Sequence, residues 1–264
     1  IYYNDIGFDF NRNDAKQSDK IWFPYNKGGS FRKWYGNLEH TINWWNDGFN
    51  IKRYKNNKKE INKLFNNAIA ALDSMFKPQI SWSLVTTGNF GVRYYPEGFL
   101  FDVSGSSVFC NAEIKNYIMG YLNSCIVPRY LKVLNPTINL QPGNIKSLFY
   151  VPIEDKIINY LVQQNISISK IDWDSFETSW DFEVHPLLAI DKQGQVPNTV
   201  ESAYENWKEY ANNNFANLKA NEERLNELFI EIYGLEDELT PEVSDKDITI
   251  AKIFDDKKDI YDDI

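Results

Sequence analysis

Apolar residues recur at steps of three and four along the last part of the chain. Between 199 and 233 they fall at Val200, Tyr204, Trp207, Ala211, Phe215, Leu218, Leu225, Phe229 and Ile232. That spacing lines one face of a helix, so it predicts a long amphipathic helix or a helical hairpin. A shorter stretch of the same kind covers 154–165. Residues 113–134 predict two helices, the second opening near Pro128. Upstream, Ile61, Leu64, Phe65, Ala68 and Leu72 predict a helix over 58–76, ended by Pro78.

Elsewhere the pattern shortens to β-prone runs. In TINWWNDGFNIKRYK, residues 41–55, two such runs flank Asp47-Gly48. This predicts a hairpin with Lys52, Arg53 and Lys55 on or just beyond its second strand. Residues 82–109 read as three short strands separated by Thr87-Gly88-Asn89 and Pro96-Glu97-Gly98. A loop covers 135–148. Residues 172–182, DWDSFETSWDF, read as a packed extension crossing between two parts through Trp173, Phe176, Trp180 and Phe182. From Glu236 the pattern predicts a short helix and a mobile tail. The expected fold class is α+β: a mixed α/β region of short strands, residues 1–153, followed by a mainly helical region, 154–264.

Charge divides at the same place. The net charge of −9 hides 18 Lys and Arg against 11 Asp and Glu in residues 1–153, and 10 against 26 in residues 154–264. The first part is basic and the second strongly acidic. The basic part contains WFPYNKGGSFRKWYGN, residues 22–37, where Lys27, Arg32 and Lys33 lie among aromatics and glycines with no acid. Cations neutralise phosphates, and aromatics stack on bases or build a core. The run points to a loop facing nucleic acid.

Cys110 and Cys125 are the only cysteines. They exclude a disulfide framework and a four-cysteine zinc site, and they suit a reducing, cytoplasmic setting. No signal peptide or apolar run of membrane-spanning length is present, and no membrane partner is expected. A chain that opens on Ile1 reads as a piece of a longer protein. His40 and His185 are the only histidines. His185, beside Pro186 in an apolar stretch, reads as a packing residue. There is no phosphate-binding loop and no GxGxxG. Asn135-Pro136-Thr137-Ile138 only partly matches the Asn-Pro-Pro-aromatic motif of amino methyltransferases, and reads as a loop. No catalytic residue, no metal ligand and no cofactor are assigned.

Five segments in order carry a resemblance. They are WFPYNKGGSFRKWYGN, WSLVTTGNFGVRYYPEGFLFDVSGSSVF, YLNSCIVPRYLKVLNPTINLQPGNIKSL, DWDSFETSWDF with VHPLL, and NEERLNELFIEIYGLEDELTPEV. Together they resemble the C-terminal region of PglX-type adenine-specific DNA methyltransferases, which include the methylases of BREX phage defence and of related type II restriction-modification systems. The resemblance runs over about residues 20–250, with 50–77 outside it. The third segment is also similar to the end of target-recognition domains in type I specificity subunits, where a helical spacer follows.

The resemblance implies a DNA target-recognition domain joined to a spacer. The catalytic domain and its S-adenosylmethionine would lie upstream, outside this chain. Double-stranded DNA, that missing domain and other defence-system proteins are the implied partners. Lys27, Arg32, Lys33, Lys52, Arg53 and Arg93 are then candidates for phosphate or base-edge contacts. Thr86, Thr87 and Asn89 are candidates for reaching into a groove. A carbohydrate-binding module, suggested by the many Trp and Tyr, and a protein-interaction module are the alternatives.

Overall fold

The computed structural model describes residues 1–253 apart from 60–68, 70, 86–88, 136, 190–196 and 198. Among the described residues the chain is α+β, with two three-stranded sheets and seven helices. Helix α1 (Arg12–Gln17) precedes the first sheet. Strand β1 (Trp22–Asn26) lies at that sheet's centre, antiparallel to β2 (His40–Asn43) with Phe23 opposite Ile42.

The hairpin expected over 41–55 does not form. Helix α2 (Trp45–Lys59) follows β2 directly. Asn46, Asp47 and Gly48 take left-handed angles, with φ of 48°, 55° and 74°. The Asn-Asp-Gly chemistry is therefore used, since these residue types tolerate that region. It turns the chain into a helix instead of a second strand, so Lys52 and Arg53 are helical. Most of the helix expected over 58–76 lies outside the described residues. Leu72–Ser74 is a single 3-10 turn.

Strand β3 (Gln79–Ser83) is the centre of the second sheet, between β4 (Arg93–Tyr95) and β6 (Gly105–Val108), both antiparallel to it. Its side chains alternate, as a strand requires. Ile80 and Trp82 enter the main core, while the Ser81 hydroxyl accepts from Asn26 at 2.7 Å. The short β5 (Leu100–Phe101) returns to the first sheet, parallel to β1. The region thus holds one strand more than expected.

Two helices follow as predicted, α3 (Ala112–Asn123) and α4 (Ile126–Leu134). The 135–148 loop contains a short helix, α5 (Pro142–Lys146), with proline at its first position. Asn135 organises the loop: its amide donates to the Asn139 carbonyl at 2.7 Å and its oxygen accepts from Thr137. Helix α6 (Lys156–Asp174) is longer than predicted. It starts where the Asp155 carboxylate accepts from the N–H groups of Ile157 and Ile158. Helix α7 (Val200–Tyr233) is one continuous helix, opened by Thr199 and closed by Gly234 at φ 63°.

The main core is shared across residue 153. It joins Trp34, Ile80, Trp82 and Val92 to Tyr117, Met119 and Ile126, then to Val162 of α6 and to Phe215, Leu218, Leu225 and Phe229 of α7. Gly120 sets how closely the helices approach, since a Cβ there would lie 3.1 Å from Val162 and 3.3 Å from Phe229. The acidic stretch after Glu236 is not loose in its described portion. Val243, Ile248 and Ile250 are buried in the same core. Burial of apolar side chains of this size is worth about 1.5–3 kcal/mol each, enough to hold an extended strap in place.

A smaller cluster forms the joint predicted for 172–182. Trp173 is buried with Tyr35, Leu38, Tyr95 and Phe99, and Trp180 packs beside it, its ring 6.1 Å from Phe99. Phe176 turns the other way, toward His185, whose ring lies 5.2 Å from Trp207.

Candidate nucleic-acid interface

The basic residues singled out from the sequence fall into two groups. Lys27 and Arg53 are exposed, and neither is ion-paired among the described residues. Lys27 sits on the loop that leaves β1, and Arg53 on α2. Their position leaves both charges open to a polyanion.

The second group is turned inward. Lys33 is 8% exposed, and its ammonium lies 2.6 Å from the Glu222 carboxylate. The other oxygen of Glu222 accepts from the Trp34 indole N–H at 2.7 Å. One acid on α7 therefore anchors two successive residues of the basic loop. The backbone N–H of Lys33 also donates to Thr249 in the strap, at 3.0 Å.

Arg32 is held in the same way. Its guanidinium lies 3.4 Å from Asp172 near the end of α6 and 4.9 Å from the ring centre of Trp173. Gly36 makes room for this: at φ 128°, a Cβ would fall 2.3 Å from the Arg32 side chain. Asp172 also accepts from the N–H of Ala251 at 2.9 Å. Burial pushes the Asp172 carboxyl above the usual range, and the Ala251 N–H and Arg32 offset only part of that.

Lys52 is buried on α2 with its ammonium 2.7 Å from Asp47. Arg12 grips the same carboxylate through Nε and Nη2, at 2.9 and 2.8 Å. Burial pushes the Asp47 carboxyl up, but the hydrogen bonds from Arg12 and Lys52 outweigh it, and the net displacement is downward. Arg93 is buried in β4 beside Ser83 and Tyr95. Asn89 is exposed and donates to Asp247. Thr86 and Thr87 lie outside the described residues.

The opening run is thus largely a clamp between the two charge regions. Sequence reasoning missed the acids that hold it. The signal was present for Glu222, which sits four residues after Leu218 and three before Leu225, on the apolar seam of α7. A carboxylate on such a seam is buried, and a buried carboxylate needs a cation.

No family model matches the chain. The chain is homologous to a segment of adenine-specific methyltransferases of one type. It is 40% identical over 237 residues to adenine-specific methyltransferase PglX of Lacticaseibacillus casei (strain Zhang), covering 89% of this chain and 20% of that protein. It is 36% identical over 222 residues to adenine-specific methyltransferase BrxX of Escherichia coli O9:H4 (strain HS), covering 83% of this chain and 17% of that protein. The chain therefore spans about a fifth of the length of the curated relatives it matches. Among the described residues, no helix is long and apolar enough to cross a membrane.

Proposed function

We propose that this chain is the DNA target-recognition segment of a PglX/BrxX-type adenine-specific methyltransferase serving phage defence or restriction-modification in the cytoplasm. The observation that carries the reading is the homology to one segment of methyltransferases, in a chain whose basic half keeps exposed cations. Residues 1–153 would face duplex DNA, with Lys27 and Arg53 on phosphates. The helices of residues 154–253 would act as a spacer, keyed to the recognition part through Glu222 and Asp172. The acidic surface of that spacer repels a polyanion and favours the basic side for the duplex. The catalytic domain, with its S-adenosylmethionine, belongs to the remaining length of the parent protein, and other defence-system proteins are further partners.

The described residues do not fit that cofactor. No strand among them runs through a glycine-rich loop into a helix, the arrangement that cradles an adenosyl group. A cavity of about 890 Å³ is lined mainly by apolar residues such as Ile69, Met75, Trp82, Phe101 and Leu122. A carbohydrate-binding role is disfavoured by the tryptophans. Of eight, Trp45 alone is largely exposed, so the open rings that stacking on sugars needs are tyrosines such as Tyr2, Tyr54 and Tyr160, scattered over different elements.

The test is an exchange. Replacing the matching segment of the Lacticaseibacillus casei PglX with this chain should move methylation to a new site, read by sequencing modified adenines. Methylation at the unchanged site would contradict the proposal.

A further inference from the structure

Arg93 is a buried cation without a counter-ion. It is 1% exposed, and none of the described carboxylates lies within ion-pairing distance of it. Nη2 donates to the Ser83 hydroxyl at 3.1 Å and Nε to the Tyr95 hydroxyl at 3.4 Å. Nη1 donates to no described residue. The other inward-facing cations differ: Arg32, Lys33 and Lys52 each meet an acid. A lysine in this position could shed its proton, but a guanidinium stays charged. Within the fold the charge meets only two neutral hydroxyls and the face of the Tyr95 ring, 5.9 Å away, so an anion from outside the chain would supply the missing counter-charge.

The space for one is present. Arg93 lines a cavity of about 160 Å³ whose wall is part polar, with Ser30, Ser83 and Asn89, and part apolar, with Phe31, Trp82 and Phe90. The planar guanidinium fork and the exposed Ser30 hydroxyl are donors that suit a tetrahedral oxyanion. The Ser83 hydroxyl accepts from Arg93 and donates to the Gly29 carbonyl at 2.7 Å, which orients the fork. Asn89 also donates to Asp247, so one carboxylate stands near the rim. We propose that this cavity is an oxyanion site that takes a phosphate group on Arg93. The assignment stands apart from the DNA reading, because the phosphate has two sources: a phosphodiester of duplex DNA, or free phosphate.

The experiment uses the full chain with ¹⁵N-labelled arginine, titrated with inorganic phosphate against chloride at constant ionic strength. A saturable shift of the Arg93 side-chain resonance is expected, with Arg12 and Arg53 unmoved. Arg93→Lys, which keeps the charge and loses the fork, should weaken binding at least about tenfold. Ser30→Ala, an exposed position that leaves the fold intact, should weaken it several-fold. A duplex oligonucleotide that displaces phosphate from Arg93 supports the site and makes DNA the source. A duplex that leaves the phosphate in place supports it with free phosphate as the source. An unmoved Arg93 resonance in the folded chain overturns the proposal. So does an equal shift from a nucleoside lacking phosphate, which would make the pocket a reader of base edges.

Discussion

Lys33 and Glu222 stand 189 positions apart in the chain and 2.6 Å apart in the fold. The pair ties the basic run 22–37 to the acidic helix α7. Because both side chains are buried, either one alone would be an uncompensated charge in the interior. Glu222→Ala should therefore lower stability by about 3–5 kcal/mol, measured by urea denaturation. Glu222→Gln keeps an acceptor for the Trp34 indole and should cost less. A loss below about 1 kcal/mol for Glu222→Ala would show that the clamp is not structural.

Asp47 gives a pH signature. Its folded pKa lies below the ordinary value, so its contribution is fully present above about pH 3.9 and is lost as pH falls through the lower folded value. The wild-type chain should lose stability below about pH 4. In Asp47→Asn that part of the acid dependence should flatten. At pH 7 the same substitution removes the carboxylate that Arg12 and the buried Lys52 share and should cost about 3 kcal/mol or more. Thermal melts of both proteins between pH 3 and 7 check this, and parallel curves would contradict it.

Trp173 joins the two charge regions by packing rather than by charge. Trp173→Ala should cost about 3–5 kcal/mol through the cavity it leaves. Gly36→Ala should also destabilise, because its Cβ collides with Arg32 and its φ is unfavourable for alanine. Urea melts of the two variants at neutral pH test this, and a wild-type midpoint for either would remove the joint from the account.

The helical half of this fold was legible in the sequence because its periods are long. Nine apolar positions fix the face of α7, and no other element satisfies that spacing. The hairpin over 41–55 was misread because Asp-Gly reports only that the chain can turn left-handed at that point. Whether a strand or a helix follows is not written in those two residues; in the fold Asp47 is met by the distant Arg12 and, within α2 itself, by Lys52. The candidate site was read less well for a related reason. A sequence shows that Lys33 and Arg32 are cations, but their partners Glu222 and Asp172 lie more than a hundred residues away. Lys27 and Arg53, which have no such partner among the described residues, looked the same in the one-dimensional pattern.

The central claim is DNA recognition by the basic half, and its salt dependence is the direct measurement. In the proposed parent protein, log K for duplex binding should fall with log salt by about 0.9 for each neutralised phosphate. Lys27→Ala and Arg53→Ala should each flatten that slope by about 0.9. Arg32→Met should leave it unchanged, since its charge is spent on Asp172 within the fold. A slope that responds to Arg32 and ignores Lys27 and Arg53, or duplex binding with no salt dependence at all, would contradict the account.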